Sequence, residues 1–302
     1  MQKIEWVSNT MPGTDDAQLR VMSLSEVEKA RSFHKSFPMY RETPLASLAS
    51  LAWKPGVSEI HVKDESYRFG LNAFKVLGGS FAMARHIAEA VGKDVSEVDF
   101  DYLTSDKLRE EFGQATFLTA TDGNHGRGVA WAANRLGQKS VVYMPKGSEQ
   151  IRVDNIMAEG AQCTVTELNY DDAVRMSWEL AQKNGYVMVQ DTAWDGYEEI
   201  PLWIMQAHLT LALEALEQMR EKGQMPTHCF LQAGVGSYAG AVCGYLTAAL
   251  GKDAPKFIIV EPHQANCIYK SAVAGDGKPH NVSGDLSTIM AGLACGEPNT
   301  IS

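Results

Sequence analysis

The chain has 302 residues, 45% hydrophobic and 21% charged, enough for one or two globular domains with full cores. A net charge of −10 argues against a nucleic-acid partner, because nothing would draw the protein to phosphates. No apolar run reaches the roughly 18 residues that a membrane span needs. The opening MQKIEWVSNTMPGTDD has no apolar signal core, so a cytoplasmic protein is expected. The five cysteines (Cys163, Cys229, Cys243, Cys267, Cys295) form no C-x-x-C pair, which argues for reduced thiols and no structural metal. Cys229 and Cys243 lie in apolar segments and read as core, while a pairing of Cys267 with Cys295 stays open.

In chain order, residues 1–57 read as an irregular arm with one helix at 23–36. A β-rich strand follows at 58–64, leading to the first core, and then a helix at 74–90. That helix carries Phe74, Leu77, Phe81, Ala84 and Ala88 at spacings of three and four, a pattern that buries one side. Lys75 lies on another face, with Gly78, Gly79 and Ala82 beside it. Glycine inside a helix costs about 1 kcal/mol against alanine, and the expected return is room for something flat against the lysine. Alone, Lys75 reads equally well as an ordinary surface residue. The acidic stretch 94–112 reads as an insertion or surface helix.

From Thr116 onward strands and helices alternate. Strands are predicted at 117–120, 140–144, 162–168, 187–190, 228–232 and 257–261. The helices predicted between them are 126–136, 148–158 (with Ser148 as its cap), 171–183, 201–222 and 238–250. Such alternation implies an α/β fold with parallel sheets.

Ligands of open α/β sheets bind beyond the carboxyl ends of the strands, and three loops there are unusual. In Thr121-Asp122-Gly123-Asn124-His125-Gly126, small residues at a helix start expose N–H groups to an anion. Asp122 would repel that anion unless it has another task, a helix cap at Asp122 or Asn124 being the plain alternative. A lone loop histidine such as His125 is more often merely hydrogen-bonded than catalytic. Asp191 ends a strand within Gln190–Tyr197, where a turn or cap residue is the simpler reading. Gly234-Val235-Gly236-Ser237 opens a helix after an apolar strand and suits a phosphate. A rival exists, because a glycine-rich turn followed about 20 residues on by an acid, Glu261, imitates a dinucleotide-binding unit. Lys75 separates the two: a nicotinamide enzyme has no need of it, whereas pyridoxal phosphate (PLP) chemistry needs a Schiff-base lysine and a phosphate cup.

Taken together, KDESYRFGLNAFK, TDGNHGRGVAWAA, VQDTAWDGY, QAGVGSYAG and IMAGLACGEPN resemble the fold type II PLP enzymes, the tryptophan synthase β and threonine dehydratase superfamily. Within it the closer match is to the diaminopropionate ammonia-lyases, from about residue 40 onward. The resemblance implies two three-layer αβα domains with PLP in the cleft: a large domain at 1–84 and 196–302, and a small mobile one at 85–195. It makes Lys75 the Schiff-base lysine, Gly234, Val235, Gly236 and Ser237 the phosphate cup, and Asn124 the contact to the ring hydroxyl. Thr121 and Gly123, with Asp122 and His125, fall on the substrate side. Relatives often carry Ser at Asp122 and Ser or Thr just before the lysine, where this chain has Asn72-Ala73. Those departures point to loss of ammonia rather than water.

What the resemblance then implies is elimination of 2,3-diaminopropionate to pyruvate and two ammonia molecules, with Asp122 the base for the D-isomer and Asp191 for the L-isomer. A homodimer is implied as well. The alternatives are a D-serine or threonine dehydratase of the same fold, and a non-catalytic PLP-binding relative. Members of the family usually continue beyond the position of Ser302, so the resemblance implies a chain without the usual C-terminal segment, which supplies the partner of the pyridine nitrogen.

Overall fold

The computed structural model describes residues 4–11, 17–121 and 123–302, with only the backbone of residues 17 and 18; Asp122 lies outside the described residues. Its main elements are α1 (Leu24–Ser36), β1 (Leu45–Ser47), β2 (His61–Lys63), α2 (Val76–Ala90), β3 (Thr116–Ala120), α3 (Asn124–Arg135), β4 (Lys139–Met144) and α4 (Gln150–Ala158). There follow β5 (Gln162–Val165), α5 (Tyr170–Asn184), β6 (Val187–Met188), α6 (Glu199–Glu221), β7 (His228–Gln232), α7 (Ser237–Leu250), β8 (Lys256–Val260) and α8 (Cys267–Ala274).

Two parallel sheets carry the α/β character. One has the order β5-β4-β3-β6, and the other pairs β7 with β8. The four-stranded sheet is sandwiched. Leu118, Ala120 and Met188 meet Ala173, Val174 and Ala181 of α5, and Val142 and Met144 meet Ala130 of α3 and Val153 and Ile156 of α4. Leu231 of β7 packs into a separate core with Leu209, Leu213 and Leu216 of α6 and Val242 and Leu246 of α7.

Three expectations change. The strand before Lys75 joins neither sheet: β2 is three residues long and pairs antiparallel with β1 alone, and Val62 on it is exposed. Ser148 does not cap α4; Glu149 holds that position without a side-chain bond. The acidic stretch 94–112 forms a short 3-10 turn and two short helices, whose Val95, Val98, Leu103 and Leu108 are buried in the first core.

Helix α2 is the spine. Every residue from Val76 to Ala84 is buried, so no single stripe is distinguished. It packs against both α3 and α6, and its glycines serve that double contact. A Cβ on Gly78 would lie 2.6 Å from Ile204 Cγ2 on α6, and one on Gly79 would lie 3.4 Å from the backbone of Val129 on α3. The room they leave is taken by neighbouring helices, not by a ligand's ring.

Candidate active site

A turn of unusual backbone delivers Lys75. After β2 the chain enters a 3-10 turn, Glu65–Gly70, in which Asp64 accepts from Ser66 N at 3.0 Å. Phe69 and Asn72 are non-glycine residues at φ 49° and 57°, a conformation costing of order 1 kcal/mol and kept where surroundings fix it. Arg68 supplies the fixing. Its guanidinium reaches Glu214 of α6 with Nη1 to Oε1 at 3.0 Å and Nη2 to Oε2 at 2.8 Å, and Glu65 with Nε to Oε2 at 2.8 Å. Lys63 Nζ lies 2.7 Å from Glu214 Oε2, and the Tyr40 hydroxyl donates to Oε1 at 2.5 Å. Burial alone would raise the Glu214 carboxyl; Arg68 and Lys63 instead hold it down at about 2.

Lys75 stands at the cap position of α2, where the helix begins. Its ammonium pairs with the carboxylate of Asp191, which the loop after β6 carries. Asp191 is buried; desolvation would raise its carboxyl, but the Lys75 charge, and then His125, hold it well below the usual carboxylate range. His125 Nδ1 lies 3.9 Å from Asp191 Oδ2, and His125 Nε2 lies 2.8 Å from the Val189 carbonyl. A carbonyl only accepts, so Nε2 carries a proton and donates it there.

These side chains line a cavity of about 310 Å³, together with Asn72, Thr121, Asn124, Tyr170, Gly234, Val235, Gly236, Ser237 and Cys295. Lys75, Thr121, Asn124, His125, Asp191 and the 234–237 loop, singled out in four separate stretches of sequence, thus meet at one place. Gly123 lines an adjoining cavity that shares Asn124.

Thr121, Gly123 and Ser237 also make bonds within the protein. Thr121 Oγ1 accepts from Gly123 N at 3.0 Å and Gly126 N at 3.1 Å, so the threonine shapes the loop and the Gly123 amide is engaged within it. Gly126 is obligatory there, because a Cβ would lie 2.2 Å from Thr121 Cγ2. Gly123, at φ 153°, is the residue that caps α3. The Ser237 hydroxyl donates to the Asp191 backbone carbonyl at 2.5 Å and accepts from Asn299 Nδ2 at 2.6 Å. It ties the 234–237 loop to the Asp191 loop. Tyr170, Cys295 and Asn299 escaped the sequence reading. Tyr170 accepts from Gln190 Nε2 at 2.9 Å across 20 residues, and Asn299 reaches Ser237 across 62, distances over which no local pattern announces a partner.

The site fits PLP on its own terms. Among the described residues the amides of Gly234, Val235 and Gly236 make no hydrogen bond within the protein, and they open helix α7, whose dipole favours an anion. Gly236 sits at φ 98°, where a side chain would be strained, and a Cβ there would lie 2.9 Å from Ile268 Cδ1, so that position favours glycine. The dinucleotide alternative loses its acid: Glu261 accepts from Ile268 N at 2.9 Å and Tyr269 N at 2.7 Å, capping α8. Cys163, Cys229, Cys243 and Cys267 form no disulfide, with Cys267 buried and Cys229 and Cys243 only partly so.

The family model of pyridoxal-phosphate dependent enzymes matches residues 37–302. Diaminopropionate ammonia-lyase of Salmonella typhimurium is 55% identical over 287 residues, covering 95% of this chain and 71% of that protein. The crystal structure of the Escherichia coli enzyme in complex with D-serine superposes with a TM-score of 0.86 at 53% identity, covering 93% of this chain and 69% of that one. A threonine deaminase from Solanum lycopersicum, 21% identical with a TM-score of 0.73, shares the fold. The chain is therefore a member of the pyridoxal-phosphate dependent enzymes of fold type II, in the diaminopropionate ammonia-lyase family.

Proposed function

We propose that this chain catalyses the PLP-dependent α,β-elimination of D- and L-2,3-diaminopropionate, yielding pyruvate and two molecules of ammonia. The observation that carries the reading is the partly buried Lys75–Asp191 pair sharing one cavity with the uncommitted amides of 234–236. The 55% identity to a diaminopropionate ammonia-lyase supports the choice of substrate.

When bound, PLP supplies the electron sink that stabilises negative charge at Cα. The chain's own residues do the rest. The 234–236 amides and the start of α7 hold the phosphate, and Lys75 provides the amine that joins the cofactor. Its departure from Asp191 frees a buried carboxylate to take the Cα proton of the L-isomer. Asp122, assigned by the resemblance, serves the D-isomer from the opposite face. Asn124 orients the cofactor's ring, and the 121–126 loop receives the substrate carboxylate. Asp191 also favours the charged form of a nearby amine, which makes it a better leaving group.

Residues 85–195 form a small domain that closes on the large one, 1–84 and 196–302, shutting out water. The same reading makes the protein a homodimer of the cytoplasm. None of the helices of the described residues is long and apolar enough to cross a membrane.

Pyruvate and ammonia released from each candidate amino acid test the proposal. Diaminopropionate should be the best substrate. A stronger response to D-serine or threonine would make the chain a dehydratase, and bound PLP without turnover of any of them would make it a binding relative.

A further inference from the structure

Helix α2 admits a histidine beside its lysine. Gly78 follows Lys75 by three residues on the same helix side, and a Cβ there would lie 2.9 Å from Nε2 of His208 on α6. The missing Cβ lets the imidazole reach the face from which Lys75 projects. Phe74 is shared by both groups: the His208 ring meets it edge-on, centroids 5.0 Å apart, and Lys75 Nζ lies 5.9 Å from its centroid.

His208 is fully buried, and neither ring nitrogen has a hydrogen-bond partner among the described residues. A buried polar group left so carries an uncompensated desolvation cost, and native structures keep few of them. His34, buried in the same interior, shows the ordinary solution, with Nδ1 2.8 Å from Thr210 Oγ1 and Nε2 3.0 Å from the Leu77 carbonyl. The charged and titratable groups acting on His208 are Lys75 on α2, Asp191 after β6, His125 on α3 and His34 on α1. Burial, followed by the Lys75 charge, holds the ring neutral. A neutral imidazole always keeps one lone pair.

We propose that His208 is a positioning residue for Lys75, its lone-pair nitrogen accepting a hydrogen bond from the lysine amine whenever that amine is held neither by Asp191 nor by the cofactor. The inference rests on the proposed elimination for its purpose. Substrate displaces the lysine while Asp191 is needed as a base, so the displaced amine requires a second acceptor within reach of its return. Gly78 then has a function as well as a packing role, because a side chain there would expel the ring.

The test uses the PLP-loaded protein and glycine, an amine that displaces lysine from the cofactor yet has no β-substituent to lose. Stopped-flow absorbance follows the return of Lys75 as glycine is diluted away, so the result does not depend on which substrate is eliminated. His208→Leu should slow the return about tenfold and lower kcat similarly, with KM and PLP affinity unchanged. His208→Gln, which keeps an acceptor, should restore most of both. Should His208→Leu not fold, His208→Phe makes the same comparison with Gln. Return at the wild-type rate in the apolar variant would overturn the proposal, and so would equal slowing in the apolar and Gln variants, which marks a packing role. Failure of diaminopropionate turnover with these glycine kinetics intact would overturn the substrate assignment alone.

Discussion

Arg68 with Glu214 is a buried cation–carboxylate pair and Lys75 with Asp191 a partly buried one, and both join the segment around Lys75 to distant parts of the chain. Around Glu214 the donors are saturated: Arg68, Lys63, Tyr40 and the Thr43 amide all converge on it. Around Asp191 the pair opens onto the cavity, and the histidines beside it keep ring nitrogens without partners among the described residues. Two cations and two carboxylates, with Glu65 included, balance the first cluster, so it can only be an anchor. The second is held together by a lysine that the proposed chemistry would displace. A fully buried pair is costly to break, which suits the first to fixing a strained turn. The part-exposed, cavity-facing Lys75 can be parted from Asp191 at less cost, as the proposed release of a base requires.

Breaking each pair should therefore read out differently. Asp191→Asn should lower kcat for the L-isomer by about 10²–10⁴-fold, the usual worth of an acid–base group, with turnover of the D-isomer much less affected and the melting temperature nearly unchanged. Glu214→Ala strands Arg68 and Lys63 and should cost about 3–5 kcal/mol in denaturant unfolding, while kcat per folded molecule stays close to wild type. If the two variants exchanged these signatures, the distinction between anchor and site would fail.

A smaller effect concerns the interior between them. Burial, the main cause, pushes the His34 imidazole down to about 3, so the folded chain keeps it neutral where the unfolded chain protonates it. A depressed folded value gives stability that is present above the unfolded value near 6.5 and is lost as pH falls toward 3. Across that window one proton difference is worth about 1.4 kcal/mol per pH unit. Denaturant unfolding from pH 7 to 4 should show His34→Gln, which cannot titrate, with a shallower loss than wild type. Parallel curves would contradict the assignment.

Much of this arrangement was legible in the sequence, and the boundary follows the range of the interactions. The alternation from Thr116 onward, the lysine turn and the 234–237 loop are local patterns, set by apolar spacing and by glycine at turns, and they stand where expected. Gly78 was visible as an oddity, but its partner His208 lies 130 residues on, and α2 had no signal that helices would cover it on every side. Arg68 and Glu214 are 146 residues apart. The β1–β2 ribbon misled for a related reason: strand propensity fixes an extended segment, while its partner decides the sheet it joins.

The central claim is that Lys75 is the residue that takes the cofactor. Borohydride reduction of the PLP-loaded protein, followed by peptide mapping, tests it most directly. The account predicts loss of the visible absorption band and a single pyridoxyl adduct on Lys75; an adduct on any other lysine would contradict it.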